Sequence, residues 1–311
     1  KKGNALKLLE EYDTMREHFV SFTETYPSSH RMPEAVYWIG WIDAQQGSPA
    51  KARVIYWETI EKHGDDPEMI TIPDLFTALP KVYPGDDRDE LLSRLKLGKN
   101  FAASQKQFVL ASRTGWGRSL ALAKSDPDAA HIALLDISKW VDPKLNPPKV
   151  SVPVAEAMLA AGNPLSAKNL PVHVRKWHPR AVQKGDIYRM LGDIARDEGD
   201  VEQALDYYEK YERQTYTTVG LGAVKLTKAM LLTEVGKLDQ ARGELESVLE
   251  VPGITAKTKA NALFLLGKSF AQTSDHRKAI VYFERVYVAY GKFGDLNAKS
   301  YLARGSSLES L

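Results

Sequence analysis

One register position returns every 37 to 39 residues along this 311-residue chain, at Met15, Ala52, Leu91, Ala130, Ala167, Ala204, Ala241 and Ala279. Twelve residues before each lies a second position: Gly3, Gly40, Leu79, Arg118, Ala155, Gly192, Ala229 and Gly267. Large apolar residues follow one and two helical turns after the first set, as Tyr56 and Thr59, Tyr208 and Tyr211, Leu245 and Val248, and Phe283 and Val286. The pattern is clear at 40, 192, 229 and 267 and weaker at 155, where Ala167, Pro171 and Val174 follow. It is poor at 79 and 118. A period of this length is one supersecondary unit that cannot bury its apolar face alone, so neighbouring units must stack.

Close packing explains the residue types. Two antiparallel helices on a short turn approach closely where both carry small residues, which sets Gly192 against Ala204 and Gly267 against Ala279. Gly47, Gly199, Gly236 and Ser274 fall where first helices should stop, and Pro27, Pro67 and Pro252 follow second helices. The chain is thus predicted to be all-α, an α-solenoid of helix pairs. Strong repeats run at about 33–67, 185–220, 222–252 and 260–290, around a degenerate middle at 68–184. Within it, "VDPKLNPPKVSVP" at 141–153 is either a long loop in one continuous solenoid spanning 1–311, the preferred reading, or a hinge between two sub-arrays.

The stretch "GDIARDEGDVEQALDYY", residues 192–208, is dense in acids. A calcium loop needs oxygen ligands at alternate positions around a sharp glycine turn, which these acids lack. The stretch reads instead as a helix ending at Gly199 and a second beginning at Asp200 as its N-cap.

The segments "YRMLGDIARDEGDVEQALDYYEKY", "LFLLGKSFAQTSDHRKAIVYFERV" and "VYWIGWIDAQQGSPAKARVIYWETI" resemble the tetratricopeptide repeat (TPR). That family repeats every ~34 residues, so the longer step here means longer helices or linkers. The resemblance implies a right-handed superhelix of antiparallel helix pairs and a groove, lined by the first helices, that binds a peptide or partner protein. In that register the groove positions include Glu34, Tyr37, Trp41 and Ala44, then Phe76 and Tyr83, then Asp186, Arg189, Asp193 and Arg196. Leu226, Met230, Asn261, Phe264 and Lys268 follow. TPRs that clamp chaperone tails use asparagines and lysines at fixed first-helix positions. The residues after each small site, Trp41, Pro80, Ser119, Glu156, Asp193, Met230 and Lys268, include no asparagine, which argues against such a clamp. The endings "ETYPSSHRMPEA" and "VAYGKFGDLNAK" are similar to long-helix TPRs of bacterial envelope proteins, such as outer-membrane assembly lipoproteins and Tol-Pal coordinators. This implies a bacterial periplasmic or outer-membrane-associated setting.

Composition is that of a soluble globular chain, 43% hydrophobic and 26% charged, and no apolar run approaches a membrane span. With no cysteine, disulfides, thiolate zinc sites and cysteine nucleophiles are excluded. A net charge of +2 balances two acid-free basic runs, 91–125 and 157–185. The second contains "HVRKWH" and a candidate basic patch, Arg175, Lys176, Arg180 and Lys184. Basic residues among aromatics could take an acidic polymer or nucleic acid, but the overall balance favours a solvated face. His173 and His178 are five apart and share no helical face, and "VGLGAVK" at 219–225 lacks a preceding strand. No metal, cofactor or catalytic residue is assigned.

The leading expectation is a non-enzymatic scaffold for protein–protein interaction. The alternative is a non-catalytic helical portion of a larger enzyme or regulator. "KKGNALKLLEEY" reads as the middle of a helix pair, and Gly305 takes a first-helix site whose partner would lie at 317. The sequence is therefore expected to be truncated at both ends, with end-to-end self-association of the cut repeats.

Overall fold

The computed structural model describes residues 2–180, 186–215 and 218–311. Seventeen α-helices and no strand occur among them. They alternate as first and second members of pairs: α1 (Lys2–Leu8) with α2 (Tyr12–Thr25), α3 (Met32–Gln45) with α4 (Pro49–His63), α5 (Ile72–Val82) with α6 (Asp87–Ser104), and α7 (Phe108–Leu122) with α8 (Pro127–Ile137). Then come α9 (Pro148–Ala160) with α10 (Pro164–Trp177), α11 (Asp186–Asp197) with α12 (Val201–Gln214), α13 (Thr218–Glu234) with α14 (Leu238–Glu250), α15 (Ala256–Gln272) with α16 (His276–Ala289), and α17 (Gly294–Glu309). The chain forms two compact units, Lys1–Pro179 and Arg180–Leu311.

Turn chemistry sets the boundaries. Asp126, Asp200 and Asp275 each accept from the backbone amide three residues on, capping α8, α12 and α16. Gly47 and Gly199 take positive φ past the ends of α3 and α11, where a Cβ would be strained. The proline-rich stretch is non-helical only as far as Pro147. Pro148 opens α9, where its fixed φ suits a first turn, and Pro153 lies inside that helix.

All eight recurring second-helix residues, Met15 through Ala279, are buried. Their closest counterpart differs from the expected one, however. A Cβ added at Gly192 would lie 2.5 Å from the Tyr208 ring, and one at Gly267 would lie 2.5 Å from Phe283. Gly3 meets Phe19 and Gly40 meets Tyr56 in the same way. In each pair the aromatic lies sixteen residues after the glycine, one turn beyond the recurring second-helix residue, Met15 or an alanine. The glycine makes room for a ring laid flat on the first helix, and the alanine is buried beside it. Where the glycine becomes Ala229, the ring becomes Leu245, and both are buried in one cluster, so volume is traded across the seam.

The middle closes differently. Leu79 occupies the glycine position of α5, so no ring can lie there, and α6 packs chiefly on α7 rather than on α5. The close approaches of α7 come at Gly115, against Ile137, and Gly117, against Phe76, and not at Arg118. An apolar recess of about 760 Å³ opens between α4 and α6, lined by Trp57, Ile60, Leu97, Phe101 and Leu110. Three long-range bonds hold α7 to the end of α4. Asp65 accepts from the Leu110 amide at 3.1 Å, capping α7 across 45 residues. Arg113, fully buried, donates to the carbonyls of Gly64 and Asp66 at 2.8 and 2.9 Å. Burial lowers its pKa to about 10 despite the nearby Asp66 and Asp65.

Candidate functional site

A residue one place after a first-helix seam position is rotated by ~100° from that seam, so it points sideways rather than into the pair. Trp41, Met230 and Lys268 follow Gly40, Ala229 and Gly267. Met230 is 46% exposed, Lys268 is exposed and Trp41 is half-buried. Tyr37, Arg189 and Phe264 on the same helices are also half-buried. The rings of Phe264 and Phe283 lie 5.8 Å apart. Arg189 bonds Asp193 at 3.2 Å.

Two groove candidates are corrected. Phe76 is 0% exposed because its ring fills the space that Gly117 leaves on α7. Tyr83 is 2% exposed: Arg53 stacks on its ring, and its hydroxyl accepts from Trp57 Nε1 at 3.0 Å. Both residues belong to the core and present no surface to a partner. Of the basic patch, Arg175, Lys176 and Arg180 are exposed, and Lys184 lies outside the described residues. Lys144 and Lys176 flank the Trp177 ring, each 5.2 Å from its centroid.

The acids of 193–206 serve the helix turn. Asp193 accepts from the Tyr208 hydroxyl at 2.8 Å and pairs with Arg189 and Arg196. Asp197 bonds Arg196, Asp200 caps α12 and Asp206 bonds Lys210. Burial, with Asp193 beside it, pushes the Tyr208 hydroxyl pKa well above its usual value. Among the described residues no group of three or more His, Cys, Asp or Glu could hold a metal ion, and no helix is long and apolar enough to cross a membrane.

Sequence reasoning missed two features. Arginine one place after the second-helix position, at 16, 53 and 242, reaches the end of the next first helix. Arg16 bonds Asp43 at 2.7 Å, Arg53 the Val82 carbonyl at 2.6 Å, and Arg242 the Ser269 carbonyl at 2.8 Å. That recurrence was readable, but only once the register was known. The second is a charged knot in the C-terminal unit. Lys228 bonds Glu244 at 2.7 Å and lies 3.6 Å from Glu212, while Lys225 bonds Glu244 at 3.2 Å and also lies 3.6 Å from Glu212. Burial raises the Glu212 pKa, the lysines only partly offsetting it. Burial also opposes charge on Glu244, but its bonds to Lys228 and Lys225 and their charges win, and its pKa is lowered.

Two tetratricopeptide-repeat family models match the chain, over residues 185–213 and 226–292. The C-terminal unit carries tetratricopeptide repeats. The matched TPR segments cover α11–α12 and most of α13 through α16, within the C-terminal unit. Among solved structures, a chain of the APC/C hetero-tetramer Cut9–Hcn1 is similar at 12% identity and a TM-score of 0.50. The match covers 96% of this chain and 52% of that one, so the present chain spans about half its length. A thermophilic TPR protein from Thermus thermophilus is 16% identical with a TM-score of 0.40, covering 68% of this chain and 98% of that one. A tetratricopeptide repeat protein from Parabacteroides merdae is 13% identical with a TM-score of 0.36, covering 96% of each. At 12% identity the likeness to the Cut9–Hcn1 chain is one of fold. Comparison with curated protein sequences gives no significant match.

Proposed function

We propose that this TPR protein is a non-catalytic scaffold that holds a partner protein or peptide against its first helices. The observation that carries the reading is the division of labour within four of the pairs, those led by α3, α11, α13 and α15. The recurring second-helix residues are consumed in the core, whereas Tyr37, Trp41, Arg189, Met230 and Lys268 keep surface on the first helices. Aromatic, arginine and methionine side chains of this kind anchor interfaces because each buries much area or adapts its shape. A bacterial envelope setting, which the long-helix endings favour, belongs to the same proposal.

Site-specific photo-crosslinking in the native host tests it. A crosslinker at Met230 or Lys268 should capture the same partner, and one at Lys51 or Glu246 on second helices should not. Capture from the second helices alone would place the partner on the opposite face and end this reading.

A further inference from the structure

Lys7 has a setting that no packing role accounts for. It lies one turn after Gly3, and residues four apart share a helix face. Gly3 sits directly on the Phe19 ring, where a Cβ would lie only 2.5 Å from it. Phe19 in turn stacks on Trp38, centroids 6.3 Å apart. This chain of contacts brings the Lys7 ammonium to 4.9 Å from the centroid of Trp38 and 4.7 Å from that of Trp41. Both lie within the ~6 Å over which a ring face attracts a cation, and indole is the strongest such face.

The two indoles form an open corner. Three apart on α3, they stand 75° to one another with centroids 5.7 Å apart. Each indole also meets a tyrosine edge: Tyr37 meets Trp38 at 87°, and Tyr12 meets Trp41 at 64°. Both indoles pack against the buried cluster of Leu6, Met15 and Ile42, so contacts other than Lys7 also orient them. No carboxylate among the described residues pairs with Lys7, and the buried carboxylate of α3, Asp43, is taken by Arg16 at 2.7 Å. The corner thus holds an ammonium by ring faces alone.

We infer that the Trp38–Trp41 corner is a binding site for an alkylammonium side chain of the partner, a lysine or a methylated lysine, and that Lys7 occupies it in the unbound protein. The inference rests on the reading that first helices carry the partner. Lys7 is a suitable placeholder because it is exposed and ring faces alone hold its ammonium. An incoming ammonium replaces the one that leaves, so the rings never face water empty. The same exchange disfavours acidic or apolar side chains at this place.

The test follows the indole N–H signals of Trp38 and Trp41 by NMR, assigned with single Trp→Phe variants. The probes are Nα-acetyl-lysine methylamide, its trimethylammonium form and Nα-acetyl-norleucine methylamide, which keeps the four-carbon stem and lacks the ammonium. In Lys7→Met, which keeps an unbranched stem without the ammonium, both signals should shift saturably with the charged probes and not with norleucine. The wild-type protein should need about fivefold more probe, because the internal lysine reduces the fraction of open sites. A larger response to the trimethylammonium probe would identify the methylated form as the preferred ligand, and an equal response the unmodified one. Equal shifts with norleucine, or no difference between Lys7→Met and wild type, would overturn the inference. A partner cross-linked at Tyr37, in the same unit, whose binding survives Trp41→Leu sinks the corner and leaves the scaffold reading intact. A charged-probe response without any first-helix cross-link keeps a cation corner and sinks the scaffold reading.

Discussion

The pairs α11–α12 and α5–α6 occupy the same register and close by different means. In the first, Gly192 is covered by Tyr208, whose hydroxyl is tied to Asp193 at 2.8 Å. In the second, Leu79 stands where the glycine should be and Leu95 where the ring should be, and both are buried. α6 then packs chiefly on α7, and α7 is anchored to the end of α4 by Arg113 and Asp65. A repeat can therefore keep its helix count and order while losing its local seam, provided contacts from further along the chain replace it. The seam is local, sixteen residues from glycine to ring. The replacement spans 45 to 49 residues. Loss of a local seam should therefore be felt within one pair, and loss of the replacement across several helices.

The largest expected effect falls on the rings. Tyr208→Ala or Phe283→Ala removes a fully buried ring and leaves a glycine-lined cavity, at a cost of ~3–5 kcal/mol. Leu134→Ala, at the same register position in the middle but only half-buried, should cost less than ~2 kcal/mol. Urea unfolding followed by circular dichroism gives all three values. Equal losses would mean that the rings do not hold the regular pairs together.

Next comes Arg113. Its guanidinium satisfies two carbonyls at the end of α4, and Arg113→Met would orphan both, at about 3 kcal/mol. Amide exchange should quicken in α4 and α7 together, since the arginine joins them. Protection lost in α7 alone would show that the long-range anchor does not couple the two helices.

The charged knot of α12–α14 ranks third, and its two acids have opposite signs. Glu244 has its pKa depressed in the fold, so its stabilisation is present above the ordinary value of 4.5 and is lost as pH falls through the folded value. Glu212 has its pKa raised, so the fold favours its protonated form, and stability falls as pH rises from 4.5 through the raised value. At pH 7, Glu244→Gln should cost about 2 kcal/mol by weakening the bonds to Lys228 and Lys225, and Glu212→Gln should cost less than about 1 kcal/mol. Urea melts at pH 7 and pH 4 measure both. The Glu244→Gln deficit should shrink at the lower pH, and a deficit that stays constant would assign the loss to packing.

These differences mark what a sequence shows and what it hides. The helix pairing was legible throughout: even Leu91 and Ala130, in the blurred middle, fall in second helices and are buried. Periodicity reports which residues share a face, and burial follows from that. It does not report which of two neighbours on that face makes the closest contact, so Ala204 was matched to Gly192 in place of Tyr208. Phe76 and Tyr83 were misplaced for a related reason. An aromatic at a first-helix position reads as surface until Gly117 and Arg53, far along the chain, are seen against it. The Trp38–Trp41 corner was half visible. Trp41 stood out by register, but Lys7 meets it only because Gly3 lets α1 lie on Phe19.

The smallest effect isolates the seam from glycine chemistry in general. Gly243 also lies inside a helix, α14, but it is exposed and a Cβ there would meet nothing within 4 Å. Its only consequence for the fold is the extra backbone freedom that must be lost on folding, which alanine would reduce. Gly243→Ala should therefore stabilise the protein by ~0.5–1 kcal/mol. Gly267 is its opposite case: the same backbone benefit is available, but the Phe283 ring stands 2.5 Å from where the methyl would be. That ring is fully buried, so the methyl must push it against its neighbours or force the helices apart. Thermal melts of the two variants should shift in opposite directions, Gly243→Ala upward and Gly267→Ala downward. Two upward shifts would show that the ring can yield, and the seam would then be a matter of helix propensity and not of close approach.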